Sequence, residues 1–163
     1  MLFHIDTIYT ILIDIAAWFS IHMGVSYVMT RQSRYSFNPE SWLYRERKFE
    51  RNGSLYFKWL KVARWKNILP DGAALFESGF QKKHLQEYTK AYLQDFQQET
   101  CRAEITHWIV LLFAFVFFIW NLWWVGIIMI VYATAANMPC IITQRYNRIR
   151  LKRVIVKKHY HCW

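Results

Sequence analysis

Residues 105–144 read ITHWIVLLFAFVFFIWNLWWVGIIMIVYATAANMPCIITQ, forty positions without an Asp, Glu, Lys or Arg. As helix they measure about 60 Å, against a bilayer hydrocarbon core of roughly 30 Å. One crossing leaves half the stretch unaccounted for. The sequence therefore predicts a helical hairpin, with crossings over 103–120 and 124–144 and a tight reversal between Asn121 and Gly126.

The distribution of charge extends this reading to the rest of the chain. The mean hydropathy is +0.02, which suits a soluble protein, yet 55% of residues are hydrophobic and 19% aromatic. The average hides two populations. All 21 Lys and Arg residues lie between Arg31 and Arg102 or between Arg145 and Lys158. A soluble domain scatters its cations, so their absence from two long windows indicates membrane insertion. Residues 7–28 form a third expected crossing, read as a retained anchor and not a signal peptide. Arg31 and Arg34 follow it, and Arg102 and Arg145 flank the hairpin. The positive-inside rule predicts a multi-pass protein with its N-terminus outside and its C-terminus in the cytoplasm. The net charge of +10 then suits membrane lipids as partners; no nucleic-acid motif accompanies it. Cys101, Cys140 and Cys162 are odd in number and make no disulfide framework.

The expected fold class is an all-α integral membrane protein of about three transmembrane helices, forming a single membrane domain over 1–163. Residues 31–100 form a cytoplasmic or interfacial helical segment, and 145–163 a basic cytoplasmic tail. Within the segment, SLYFKWLKVARWK from Ser54 sets Tyr56, Trp59, Leu60 and Ala63 at helical spacing, with Lys58, Lys61 and Arg64 opposite. That pattern predicts an amphipathic helix lying in the headgroup layer, with Ser54 as its N-cap. Pro70-Asp71-Gly72 ends it. Leu85, Tyr88, Tyr92 and Phe96 predict a second helix running into the hairpin.

Chemistry concentrates at the lip of the apolar stretch, in ETCRAEITHW at 99–108. Residues three apart share a helix face, so Glu104 pairs with His107, and Glu99 with Arg102. A carboxylate beside an imidazole fixes its tautomer and raises its basicity, as a general base for acyl transfer requires. In a hairpin, positions summing to about 247 lie level, so the QRYNR lip of the last span brings Gln144, Arg145, Asn147 and Arg148 over the same spot. Asn137 lies about one turn deeper, before Pro139. The plainer alternative stays open: Glu99–Arg102 as a surface pair, Arg145 and Arg148 as anchors, His107 as one satisfied polar residue. Glu104-x-x-His107 is half of a di-iron motif whose second copy is missing, so no metal is expected. Asp14 and His22 lie within the first span, and their burial asks for a partner such as Asn121 or Asn137.

FERNGSLYFKW (49–59), RWKNILPDG (64–72), ETCRAEITHW and ANMPCIITQRYNRIRL (136–151) together resemble the glycosyl-diaponeurosporenoate acyltransferases, small membrane enzymes of staphylococcal-type carotenoid glycolipid synthesis. The resemblance covers about 30–155. It implies transfer of a fatty acyl group to a sugar hydroxyl of a membrane-bound glycolipid. By motif it brings in Lys66, Asp71, His84 and Glu99, which join Asn137, Gln144, Arg145, Asn147 and Arg148 as expected substrate-binding positions. The expected catalytic set is His107 as base, Glu104 orienting it, and Arg102 (or Arg145 or Asn147) polarising the carbonyl. No cofactor is expected beyond an acyl donor acting as co-substrate: acyl-CoA, acyl carrier protein or phospholipid. An oligomer or pathway partner is a further expectation. The competing functions are a non-enzymatic membrane subunit docking a partner or anionic lipid, and an acyltransferase for another envelope lipid. The aromatic reversal WNLWWVG, and Asp14 and His22, depart from the family's pattern.

Overall fold

In the computed structural model, residues 6–69 and 89–160 are described. Helix α1 spans Thr7–Arg31, α2 Val62–Trp65, α3 Lys90–Phe113 and α4 Trp123–Tyr160. No strand occurs among the described residues. Helix α3 tightens into a 3₁₀ segment, Ala114–Ile119, before the chain reverses through Trp120–Leu122. The reversal falls at the start of the window read from sequence. Three helical stretches are long and apolar enough to cross a membrane: Thr7–Arg31, Lys90–Ile119 and Trp123–Lys157. Their outward faces carry Ile11, Ile15, Phe19, Leu112, Phe115, Ile128 and Val131, all exposed, as side chains solvated by lipid are.

Helices α3 and α4 form the hairpin, and α1 leans against it. Trp18 stacks on Phe117 with ring centroids 4.6 Å apart, within a core of Val110, Ala114 and Ala133. Because lipid tails are as apolar as these side chains, close van der Waals fit holds the helices together here. Gly126 serves that fit: a Cβ there meets the Phe118 ring at 2.5 Å. A buried carboxylate fixes the register of α1. Asp14 Oδ1 accepts from Trp120 Nε1 and from Asn121 Nδ2, both at 2.8 Å. Two donors at the reversal answer the cost of a polar group at membrane depth, and Asn121 is one of the two partners anticipated.

At its other end α1 is held by a hydrogen bond from α3, and the chain just after it by an ion pair. Arg102 Nη2 donates to Glu99 Oε2 at 2.7 Å, and its Nη1 to the Thr30 carbonyl at 3.3 Å. Arg34 pairs with Asp95 at 3.0 Å. Helix α3 starts where Thr89 Oγ1 accepts from the Tyr92 amide at 3.3 Å, a side-chain N-cap. Leu85 and Tyr88, the first half of the predicted stripe, lie outside the described residues.

The expected continuous amphipathic helix from Ser54 does not form. Leu55–Trp59 makes a single π turn, closed by Leu60 N donating to the Leu55 carbonyl at 3.1 Å. Lys61 then adopts φ +48°, and the chain restarts as α2 followed by a 3₁₀ turn, Lys66–Ile68. Ser54 is itself helical in φ and ψ and caps nothing. The buried residues are Tyr56 and Val62, whereas Trp59 and Leu60 are exposed. Tertiary bonds decide the matter: Tyr56 donates its hydroxyl to Glu50 and, with Val62, closes on Tyr146 and Ile149 of α4. Trp42, Phe49, Phe57, Trp59 and Ile68 are left outward, a surface suited to headgroups without being a helix.

Candidate active site

Helix α4 has 38 residues, about 57 Å of rise, so its polar end runs well past any hydrocarbon layer. That end and the facing part of α3 carry two separate polar constellations.

The first is built on Glu104, 1% exposed. Arg145 Nη1 donates to Glu104 Oε1 at 2.8 Å, and Arg148 Nη2 donates to Glu104 Oε2. The same Arg145 reaches Glu50, with Nε donating to Oε1 at 2.9 Å and Nη2 to Oε2 at 3.3 Å. Glu50 is fully buried and also accepts from the Arg47 amide and the Tyr56 hydroxyl. Burial pushes this carboxyl's pKa up, but bonds from Arg145, Tyr56 and Arg47 more than offset it, so Glu50 sits below the ordinary glutamate value. For Tyr56, burial and then the Glu50 bond push the phenol up. Arg148 Nε donates to the Tyr44 carbonyl at 3.1 Å, and its guanidinium lies over the Tyr44 ring at 5.5 Å. Two guanidinium groups thus clasp one buried carboxylate and bind the 40–56 segment onto the hairpin.

Local backbone makes this convergence possible. Arg51, Asn52 and Gly53 take φ of 46°, 54° and 74° in succession, turning the chain so that Tyr56 returns to Glu50. Gly53 also presses on α4, where a Cβ stands 3.1 Å from Ile149 Cγ2. Both the positive φ and the close approach call for glycine.

The second constellation is built on His107. Asn137, 1% exposed, donates from Nδ2 to the Ala133 carbonyl at 2.9 Å. Its Oδ1 is then the atom facing His107 Nδ1, also at 2.9 Å. A flipped amide sets oxygen against a carbonyl, so the acceptor assignment is fixed by the network. His107 therefore donates from Nδ1, and in its neutral form the lone pair resides on Nε2.

These bonds show what several of the expected site residues touch. Both carboxylate oxygens of Glu104 accept from arginines of α4. Asn137 bonds the His107 ring. Arg102 is engaged by Glu99 and Thr30 on the side of α3 that meets α1, a buried pair and not the surface pair of the plainer alternative. Arg145 likewise spends its donors on two carboxylates. Gln144 lies two turns from Asn137 along α4 and has a buried Oε1 with no hydrogen-bond partner; Asn147 Oδ1 accepts from Lys66 Nζ at 3.3 Å. Asp71 and His84 lie outside the described residues. Sequence reading overlooked Glu50, Tyr44 and Tyr56 as members of the constellation. The usable signal was charge balance: two arginines beside one glutamate call for a second acid, and Glu50 stands in the conspicuous FERNG turn.

Fold and site together define a three-span helical membrane protein with an amide-held imidazole near the polar end of its hairpin. The family model for glycosyl-4,4'-diaponeurosporenoate acyltransferase matches residues 39–157. The proteins of that name from Staphylococcus aureus strains N315 and USA300 are each 32% identical over 138 residues, 85% of this chain and 83% of theirs. The chain belongs to the glycosyl-4,4'-diaponeurosporenoate acyltransferase family and is an acyltransferase. No solved structure matches it.

Proposed function

We propose that this protein transfers a fatty acyl group to a sugar hydroxyl of a membrane glycolipid, a glycosyl carotenoid being the acceptor class its relatives' name indicates, at the cytoplasmic face of a bacterial cell membrane. The observation that carries the reading is the Ala133–Asn137–His107 chain of bonds, which makes Nδ1 the donor and Nε2 the basic nitrogen of the neutral ring. In this mechanism the acceptor hydroxyl gives its proton to His107 Nε2 as its oxygen bonds to the acyl carbonyl carbon. The tetrahedral intermediate collapses with loss of the donor's thiolate or alkoxide, which takes the proton back from the imidazolium. Asn137 positions the ring, as an amide does in histidine-dependent acyl transfer elsewhere.

The guanidinium groups of Arg102 and Arg145 are already engaged by carboxylates, so this scheme gives them the holding of the helices and not the acyl carbonyl. Exposed apolar flanks of the three spans supply a site for the acyl tail, and burial of that tail brings its carbonyl to the polar lip. No cofactor takes part in this scheme. The orientation follows the basic residues: N-terminus outside, C-terminus inside. Family membership favours the enzyme over a docking subunit. Mass spectrometry of lipids from cells with and without the protein tests the function: one acylated glycolipid is expected to vanish, with its unacylated precursor accumulating. An unchanged glycolipid profile contradicts the reading.

A further inference from the structure

Two cations converge on a single tyrosine beyond the carboxylate clasp. Lys66 Nζ lies 5.7 Å from the Tyr146 ring centroid, and the Arg150 guanidinium carbon 5.5 Å from the same centroid. Arg150 Nη1 donates to the Tyr146 hydroxyl at 3.4 Å, and Lys66 Nζ to Asn147 Oδ1 at 3.3 Å. Among the described residues, neither cation has a carboxylate within ion-pair distance, whereas Arg145, Arg148 and Lys152 each do. Burial, and then repulsion from Arg150, lowers the pKa of Lys66. Two like charges are being held together at a cost, and a doubly or singly charged anion between them relieves it.

Position relates this cluster to the imidazole. Asn137, Cys140, Gln144 and Asn147 follow one another at i, i+3, i+7 and i+10, one stripe along α4. His107 is bonded to the first of them and Lys66 to the last, about 15 Å apart along the axis. The glycosyl acceptor class carries no phosphate. Thioester carriers and phospholipids do, each at a distance from the acyl carbonyl.

We propose that Lys66 and Arg150, with the Asn147 amide, hold a phosphate group of the acyl donor. The inference rests on the proposed function only for what the phosphate delivers; the site itself stands on binding. Arg145 and Arg148 are not part of it, because two buried carboxylates already meet their charges.

The test uses the full chain in phosphatidylcholine nanodiscs with two probes. Coenzyme A, titrated by calorimetry, represents a soluble carrier, and phosphatidylglycerol, retained on the protein in native mass spectrometry, represents a lipid donor. Saturable binding of one probe is expected, weakened about tenfold by each of Lys66→Gln and Arg150→Gln and partly regained in Lys66→Arg. Which probe responds names the source. The site is overturned if the double Gln variant binds both probes as the parent does, or if the parent binds neither. Acetylation of Lys66 in the unmutated chain, read by peptide mass spectrometry, gives an answer independent of folding: pyrophosphate is expected to protect it, and equal labelling overturns the site. His107→Gln separates the two readings, because it is expected to keep probe binding while losing turnover. Turnover by that variant sinks the catalytic assignment and leaves the phosphate site untouched.

Discussion

Arg145 Nη1 lies 2.8 Å from Glu104 Oε1, an ion pair that joins the two arms of the hairpin. Glu104 is buried and answered by two guanidinium groups. Removing its charge leaves both arginines short of a partner. Glu104→Ala is expected to cost about 3–5 kcal/mol of stability, read as a large fall in the thermal transition of the protein in detergent. Near-parental stability contradicts the structural role.

The same clasp sets an acid limit. The Glu50 pKa is lowered in the folded protein, so its ionised form contributes stability above the ordinary glutamate value of about 4.3. That contribution is lost as pH falls through the folded pKa. Glu50→Gln is expected to lower the thermal transition at neutral pH and to flatten its decline below about pH 4. A decline as steep as the parent's contradicts the assignment.

Arg102 and Glu99 form a closed pair against α1. Either single change, Arg102→Gln or Glu99→Gln, strands a buried charge, while the double change strands none. A double-mutant cycle on thermal stability is expected to give a coupling of about 1–3 kcal/mol. Additive effects contradict the pairing.

Gly53→Ala meets two obstacles at once, a φ of +74° and an Ile149 methyl 3.1 Å away. A loss of more than about 1 kcal/mol is expected, whereas Gly24→Ala, where nothing lies within 4 Å, is expected to leave the transition in place or raise it.

What the sequence revealed, and what it hid, follows from the range of the forces involved. The spans were legible because hydrophobicity and charge exclusion act residue by residue, and the forty uncharged positions from Ile105 to Gln144 admit no other reading. The Asp14–Asn121 contact was legible in part, since a buried carboxylate must find a donor. The 54–68 segment misled because its helical spacing was real but outweighed by the Tyr56–Glu50 bond, the Arg51–Gly53 turn and the non-local packing of Tyr56 and Val62 on Tyr146 and Ile149. Spacing likewise brought Glu104 and His107 to one face of α3. It carried no information that α4 offers guanidinium to the first and an amide to the second. Partner choice across a helix interface depends on rotation and depth together, and neither is written in one helix.

The most direct test of the account measures the rate of glycolipid acylation by His107→Ala in membranes, beside the parent and Asn137→Ala, with thermal transitions confirming that each is folded. Loss of about 10²–10⁴ in kcat is expected for His107→Ala, with a smaller loss and an altered pH profile for Asn137→Ala as the ring is freed. Parental rates from a folded His107→Ala protein contradict the assignment of the base.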